Sequence, residues 1–271
     1  DILNNATYHY DLGKPIMTDQ EWDKLYFELV ELEKESNYIL VNSPTQSISY
    51  EIVNQLEKVE HNHKMLSLEK TKDLNVIESF LKNKDYLIMS KMDGLTCSLK
   101  YLNGKLISAE TRGNGIIGEN ILHNAKVISS IPKKIDYQEE LIVDGEIICD
   151  YESFKDFEKE YKNPRNFASG SIRLLNSKEC GKRKLSFIAW DVIEGFKEYA
   201  TISKKFVELD NLGFKVVPYF KVSQDRDLQL YIERLNIVNE FLSYPVDGAV
   251  FKFDDILILS SFTLNIPFSP L

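Results

Sequence analysis

Residues 86–101 read YLIMSKMDGLTCSLKY, with Asn103-Gly104 just beyond. The run Tyr86–Ser90 is apolar enough to predict a buried strand, and Leu95–Tyr101 predicts a second. Asn-Gly is the strongest short hairpin signal a sequence offers, so the second strand is expected to turn at 103–104. Between the two strands stands Lys91-Met92-Asp93-Gly94, and the stretch around the lysine reads as a hairpin. A lysine at such a strand-to-loop junction is held by rigid backbone on both sides, with its amine free to reach into a cleft. Taken alone, a lysine beside Asp-Gly is most often a solvated loop residue; the surrounding chain decides.

Downstream, Thr111-Arg112-Gly113-Asn114-Gly115 is a glycine-rich turn with an embedded arginine. Backbone amides freed by such glycines can approach a phosphate. Leu141–Asp150 (LIVDGEIICD) reads as a second strand pair, with Asp144, Glu146 and Asp150 set among Val143, Ile147 and Cys149. A helix from about 153 to 161 leads to Asn163-Pro164-Arg165-Asn166, and Arg173 follows. Phe187–Ile193 is a strand carrying Trp190. Ile202, Phe206, Leu209 and Leu212 mark a helix that stops at Gly213. Phe214–Val222 is a strand, Tyr231, Leu235, Val238 and Leu242 mark a helix, and Val246–Phe253 is the last clear strand, with Asp247-Gly248 and Lys252.

Upstream, residues 1 to about 40 look helical. Thr18 and Glu21 form a capping-box pattern, and Trp22, Leu25, Leu29 and Leu32 follow at helical spacing. Asp19 and Asp23 lie one turn apart on one helix face, after His9 and Tyr10. These aromatics and acids are either a small polar-aromatic site or helix packing. Ser43-Pro44-Thr45-Gln46 reads as a linker, which divides the chain into a helical unit, 1–45, and a larger one, 46–271. A short helix is expected from about 73 to 84. Helices and strands alternate without a regular βαβ order, so the fold class is α+β, with largely antiparallel sheets flanked by helices.

The chain has 271 residues, 43% hydrophobic and 28% charged, and it contains no apolar run of the ~18 residues a membrane span needs. Cys97, Cys149 and Cys180 lie far apart without a Cys-x-x-Cys pair. That argues against a zinc site and a disulfide scaffold and for a reducing, cytoplasmic setting. A net charge of -9 excludes a surface that is one continuous nucleic-acid footprint. Residues 162–184 are the exception: Lys162, Arg165, Arg173, Lys178, Lys182, Arg183 and Lys184 stand against the single acid Glu179. A local basic patch on an acidic body suits phosphate contact in one place, or a solvated loop.

Six blocks in order carry a resemblance: MLSL at 65–68, KMDG at 91–94, TRGNG at 111–115, DGE at 144–146, NPRNFASGSIR at 163–173 and DGAVFK at 247–252. Together they resemble the bacterial NAD-dependent DNA ligases, specifically the N-terminal helical domain and the adenylation (nucleotidyltransferase) domain. The resemblance implies that Lys91 attacks the α-phosphorus of NAD and forms lysine-AMP. It further implies a part for Asp93 beside that lysine and for Lys252, as the neighbouring cation that lowers the pKa of the attacking amine and also neutralises the phosphate. Glu146 would contact the ribose and serve a magnesium ion. Ser67, Leu68, Arg112, Trp190 and Asp247 would line the nucleotide site, Trp190 by stacking on adenine. Arg165 and Arg173 match arginines near phosphates and are assigned to the nucleic acid, for which a bidentate fork suits better than an ammonium. The helical segment is similar to the family's nicotinamide-recognition domain, with His9, Tyr10, Asp19, Trp22 and Asp23 as the contacts.

Departures from the family pattern are Met89, where a glutamate reads the adenine amino group, and Asp144 and Asn239, where arginines stand. The chain ends at Leu271, before the family's second late lysine, so a diverged member lacking the C-terminal domains is expected. The expected partner is nicked double-stranded DNA, weakly held, with no membrane and a monomeric state. Two other classes stay open. One is a weakened paralogue that binds nucleotide or a partner without turnover. The other is an ATP- or GTP-using nucleotidyltransferase, against which the helical segment and the NPRN block speak.

Overall fold

The strands on either side of Lys91 belong to two different sheets. The structure, a computed structural model, describes residues 1–11, 16–36, 38, 40, 43–44, 56–61, 63, 65, 69–71, 73–223, 227–258 and 261–264. In chain order the elements are α1 (Ile2–Asp11), α2 (Asp19–Ser36), β1 (Lys58–Glu60), β2 (Glu69–Thr71), α3 (Leu74–Leu81), β3 (Tyr86–Met92), β4 (Leu95–Leu102), β5 (Lys105–Thr111), β6 (Ile117–Glu119), α4 (Leu122–Ala125), β7 (Leu141–Ile148), α5 (Tyr151–Phe154), α6 (Pro164–Ile172), α7 (Ser177–Lys182), β8 (Ser186–Glu194), α8 (Ile202–Asn211), β9 (Tyr219–Val222), α9 (Leu228–Glu240), β10 (Val246–Phe253) and β11 (Ser261–Leu264). A five-stranded sheet runs β2-β11-β10-β3-β9 and a four-stranded sheet runs β5-β4-β7-β8, while β1 pairs with β6. Every named pair is antiparallel except β2 with β11. The α+β class with largely antiparallel sheets is therefore the observed one.

Strand β3 explains its own unbroken apolar run. Leu87 and Met89 face the main core, which lies between the sheets and includes Leu95, Cys97 and Leu99 of β4, Val143 and Ile147 of β7 and Phe187 of β8. Tyr86 and Ile88 point the other way, into a second core with Ile77 and Leu81 of α3, Leu228, Ile232 and Leu235 of α9, and Phe251 of β10. A strand buried on both faces cannot alternate polar and apolar residues.

The hairpin at Asn103-Gly104 forms as expected, with φ of 50° and 70° at the two turn residues, the left-handed values such a turn requires. The expected hairpin around Lys91 does not form, because β3 continues through Met92 and the chain then crosses to the other sheet. Leu141–Asp150 likewise holds one central strand, β7, and not a pair. Gly145 there lies flat against β8, where an added Cβ would sit 2.3 Å from Cζ of Phe187. The expected strand over 214–222 shortens to β9, preceded by a lone parallel bridge from Val216 to Ala189. The helix over 153–161 becomes α5 and a 3-10 turn at Lys155–Phe157. The capping box is present: Thr18 N donates to Glu21 Oε2 at 2.8 Å and Glu21 N to Thr18 Oγ1 at 3.3 Å. Helix α1 packs on both α2 and α6, with Leu3 and Ala6 buried.

Candidate active site at the crossing of two sheets

Register places the lysines. Leu87 lies opposite Lys252, and Met89 opposite Val250. Residues two apart share a face, so Lys91 and Lys252 both look from the five-stranded sheet towards the four-stranded one. They stand at opposite ends of that face, each with its own carboxylate. The pairing of β3 with β10 slips between Val246 and Ala249, and Asp247 sits in the slip. Such an irregularity re-aims a side chain. Here it turns Asp247 onto Lys91, whose Nζ donates to Oδ1 at 2.6 Å and also to Oδ2.

Gly94 sets the depth of the crossing. A Cβ there would meet the Ile147 carbonyl oxygen at 2.2 Å and Glu146 Cγ at 3.0 Å. Its value is close approach to β7, not the turn conformation the Asp-Gly pair suggests. This contact brings the Lys91 strand end beside Glu146, which lies opposite Thr96 in β4. Glu146 is buried, and burial pushes its carboxyl up to about 7 although the charges of Arg165, Arg112 and Lys91 and a hydrogen bond from Thr96 favour the ionised form. Arg165 is delivered by the first turn of α6, where Asn163 caps the helix by accepting from Asn166 N at 2.8 Å and Pro164 opens it. Its Nη1 donates to Asp93 Oδ1 at 2.7 Å. Lys91, Asp93, Arg112, Glu146, Arg165 and Asp247 thus converge at one place.

Lys252 is held from the facing sheet by Asp191 of β8, next to the half-buried Trp190. Asp191 belongs to none of the sequence motifs, although an acid inside the strand FIAWDVI breaks its apolar pattern. Arg173 does not stand at a nucleic-acid surface. Its side chain is 8% exposed and pairs with the buried Glu119, so it ties the end of α6 to β6. In the 111–115 turn the amides of Asn114 and Gly115 are taken up within the chain. Gly115 N donates to the Arg112 carbonyl at 2.9 Å and Asn114 N to that of Ile117 at 3.2 Å. Arg112 is held from below by His61, a residue that no motif in the sequence marks. The His61 ring meets the Arg112 carbonyl and Glu110 Oε2, each at 2.8 Å. Burial lowers its pKa, but these two contacts and nearby carboxylates outweigh burial and raise it.

In the helical segment Trp22 stacks on Tyr26, with centroids 5.0 Å apart, and donates to the Leu3 carbonyl at 3.4 Å. That is helix packing, the plainer of the two expectations. His9 is half-buried on α1. Tyr10, Asp19 and Asp23 lie in α1 and α2 with side chains outside the described set, and Ser67 and Leu68 lie outside the described residues. Among the described residues no three His, Cys, Asp or Glu side chains cluster as a metal site.

Residues 53–265 match the family described as the NAD-dependent DNA ligase adenylation domain. The chain belongs to this family. Residues 1–49 match the DNA ligase-like N-terminal NAD+-binding domain, so the NAD-dependent ligase type extends through the helical segment. Among relatives, the DNA ligase of Lachnoclostridium phytofermentans is 40% identical over 268 residues, taking in 94% of this chain and 41% of that protein. Those of Ruminiclostridium cellulolyticum and Mycoplasma genitalium are 36% and 35% identical, over 94% of this chain and 40% and 41% of theirs. This ligase-family chain therefore spans about two-fifths of the relatives it matches.

Proposed function

We propose that this chain is the self-adenylating module of an NAD-dependent DNA ligase. The observation that carries the reading is the convergence of Lys91 with Asp247, Glu146, Arg112 and Arg165 at the sheet crossing. NAD is the consumed substrate. Lys91 Nζ attacks the α-phosphorus of NAD, the new N–P bond forms, and the bond to nicotinamide mononucleotide breaks as that group leaves. An amine attacks only after losing its extra proton, and Asp247 is the acceptor already hydrogen-bonded to it. Arg112 and Arg165 suit the phosphate charge, Lys252 can join them from the far end of the face, and Trp190 suits the adenine ring. The AMP then passes to the 5′-phosphate of nicked DNA.

Magnesium fits Glu146, since that ion needs only one or two carboxylates beside phosphate oxygens and Glu146 is a buried carboxylate aimed at cations. When bound, the ion would neutralise phosphate charge. The helical segment, 1–45, would orient the nicotinamide half through His9, Tyr10, Asp19 and Asp23. The body, 46–271, would hold the AMP half. No described helix is long and apolar enough to cross a membrane. The three cysteines are free and buried, consistent with a reducing cytoplasm. A monomer that touches DNA weakly through the exposed Lys162, Lys178 and Lys184 completes the reading.

Intact mass after incubation with magnesium and either NAD or ATP tests it. A gain of one AMP from NAD and none from ATP is expected. Charging from ATP alone would favour the ATP-using reading, and binding without any adduct would favour the weakened paralogue.

A further inference from the structure

The Lys252–Asp191 pair joins the two sheets, and its side chains are only 17% and 16% exposed. Asp191 is fixed on its own strand, since its Oδ1 accepts from Val192 N at 2.8 Å. Lys252 is therefore the mobile partner, a long side chain reaching over from β10. A third charge lies behind. Lys205 of α8 is 8% exposed, and α8 packs on β8, the strand that bears Asp191. Burial and the Lys252 charge push the Lys205 amine down, while Asp191 and Glu194 favour its charged form. Asp191 is thus paired with Lys252 and within electrostatic reach of Lys205.

Taking Lys252 away from a nearly buried carboxylate leaves that carboxylate uncompensated unless another cation is at hand. We propose that Asp191 and Lys205 are positioning residues that work as a charge-exchange latch on Lys252. Asp191 holds Lys252 in the nucleotide-free site, and when a phosphate takes the Lys252 amine the charge of Lys205 compensates Asp191 in its place. The proposal rests on the adenylation reading of the site. It gives two residues outside the phosphate contacts a defined effect on nucleotide affinity. The exchange involves hydrogen bonds and ion pairs only, and no covalent bond changes.

The test is a double-mutant cycle read by calorimetric titration of the whole chain with AMP, folding being checked by circular dichroism. Lys205→Met should weaken AMP binding about tenfold, and Lys205→Arg should change it less than about twofold. Asp191→Asn should bind AMP at least as well as the parent chain. In the Asp191→Asn background, Lys205→Met should cost less than about twofold, because no carboxylate then needs a second cation. An equal loss with and without Asp191, or no loss at all, would overturn the latch. Should the methionine variant fail to fold, Lys205→Gln against Lys205→Arg repeats the comparison. Adduct formation from NAD by the parent chain reports separately on the adenylation reading. A parent chain that binds AMP but takes none from NAD defeats that reading and leaves the cycle to decide the latch. A parent chain that binds no AMP defeats both.

Discussion

Glu146 concentrates the electrostatic conflict of the site: a carboxylate enclosed by β4 and β7, with two arginines and a lysine as its compensating charges. Its pKa fixes a sign. The unfolded side chain ionises near 4.5, while the folded one keeps its proton to about 7. Between those values the unfolded state binds fewer protons, so stability falls as pH rises and levels off above 7. The whole fall is about 3 kcal/mol. Glu146→Gln should remove most of it in urea unfolding at pH 5 and pH 8, while abolishing AMP transfer from NAD. An unchanged pH dependence in that variant would mean the carboxyl is not the strained group. At this scale Lys91, Asp93, Glu146 and Asp247 were legible because each sits in a short ordered block. Their pairings were not, because a partner such as Asp191 lies 61 residues from Lys252 and carries no local pattern.

At the scale of elements, period and capping served well, and turn chemistry served unevenly. Asn103-Gly104 turns because left-handed backbone is needed there. Asp93-Gly94 and Asp144-Gly145 carry the same kind of local signal and do not make hairpins, because their glycines answer to packing against another strand. No single-strand pattern distinguishes the two uses. The sheet crossing is therefore a tertiary fact, and β1, β2, β6 and β11, at three or four residues, are too short for a sequence period to show. Gly94→Ala tests the packing use. With a backbone oxygen at 2.2 Å from the new Cβ, the crossing must lift away from β7. A loss of about 2–3 kcal/mol in unfolding free energy is expected, together with a large fall in charging. A variant as stable and active as the parent would show that the crossing is not pinned there.

The basic stretch that the sequence suggested is partly neutralised in place. Arg165 pairs with Asp93, Arg173 with Glu119 and Lys182 with Glu179, and Arg183 lies 4.4 Å over the Phe157 ring. Composition counts charges without knowing their partners, so it overstated the patch. The helical segment was legible as helices from the capping box and spacing, but its contact with α6 was not, since no signal in α1 names a distant helix. If the nicotinamide half is oriented there, Asp19→Ala with Asp23→Ala should slow charging from NAD at least about tenfold and leave AMP affinity within about twofold. Equal losses in both would show that those acids serve folding alone. The most direct test of the central claim is where the AMP attaches. The parent chain is incubated with NAD and magnesium, digested, and the modified peptide is mapped by mass, alongside Lys91→Ala. The account predicts one AMP per chain, on Lys91, and none on the variant. AMP on another residue, or an undiminished adduct on Lys91→Ala, would contradict it.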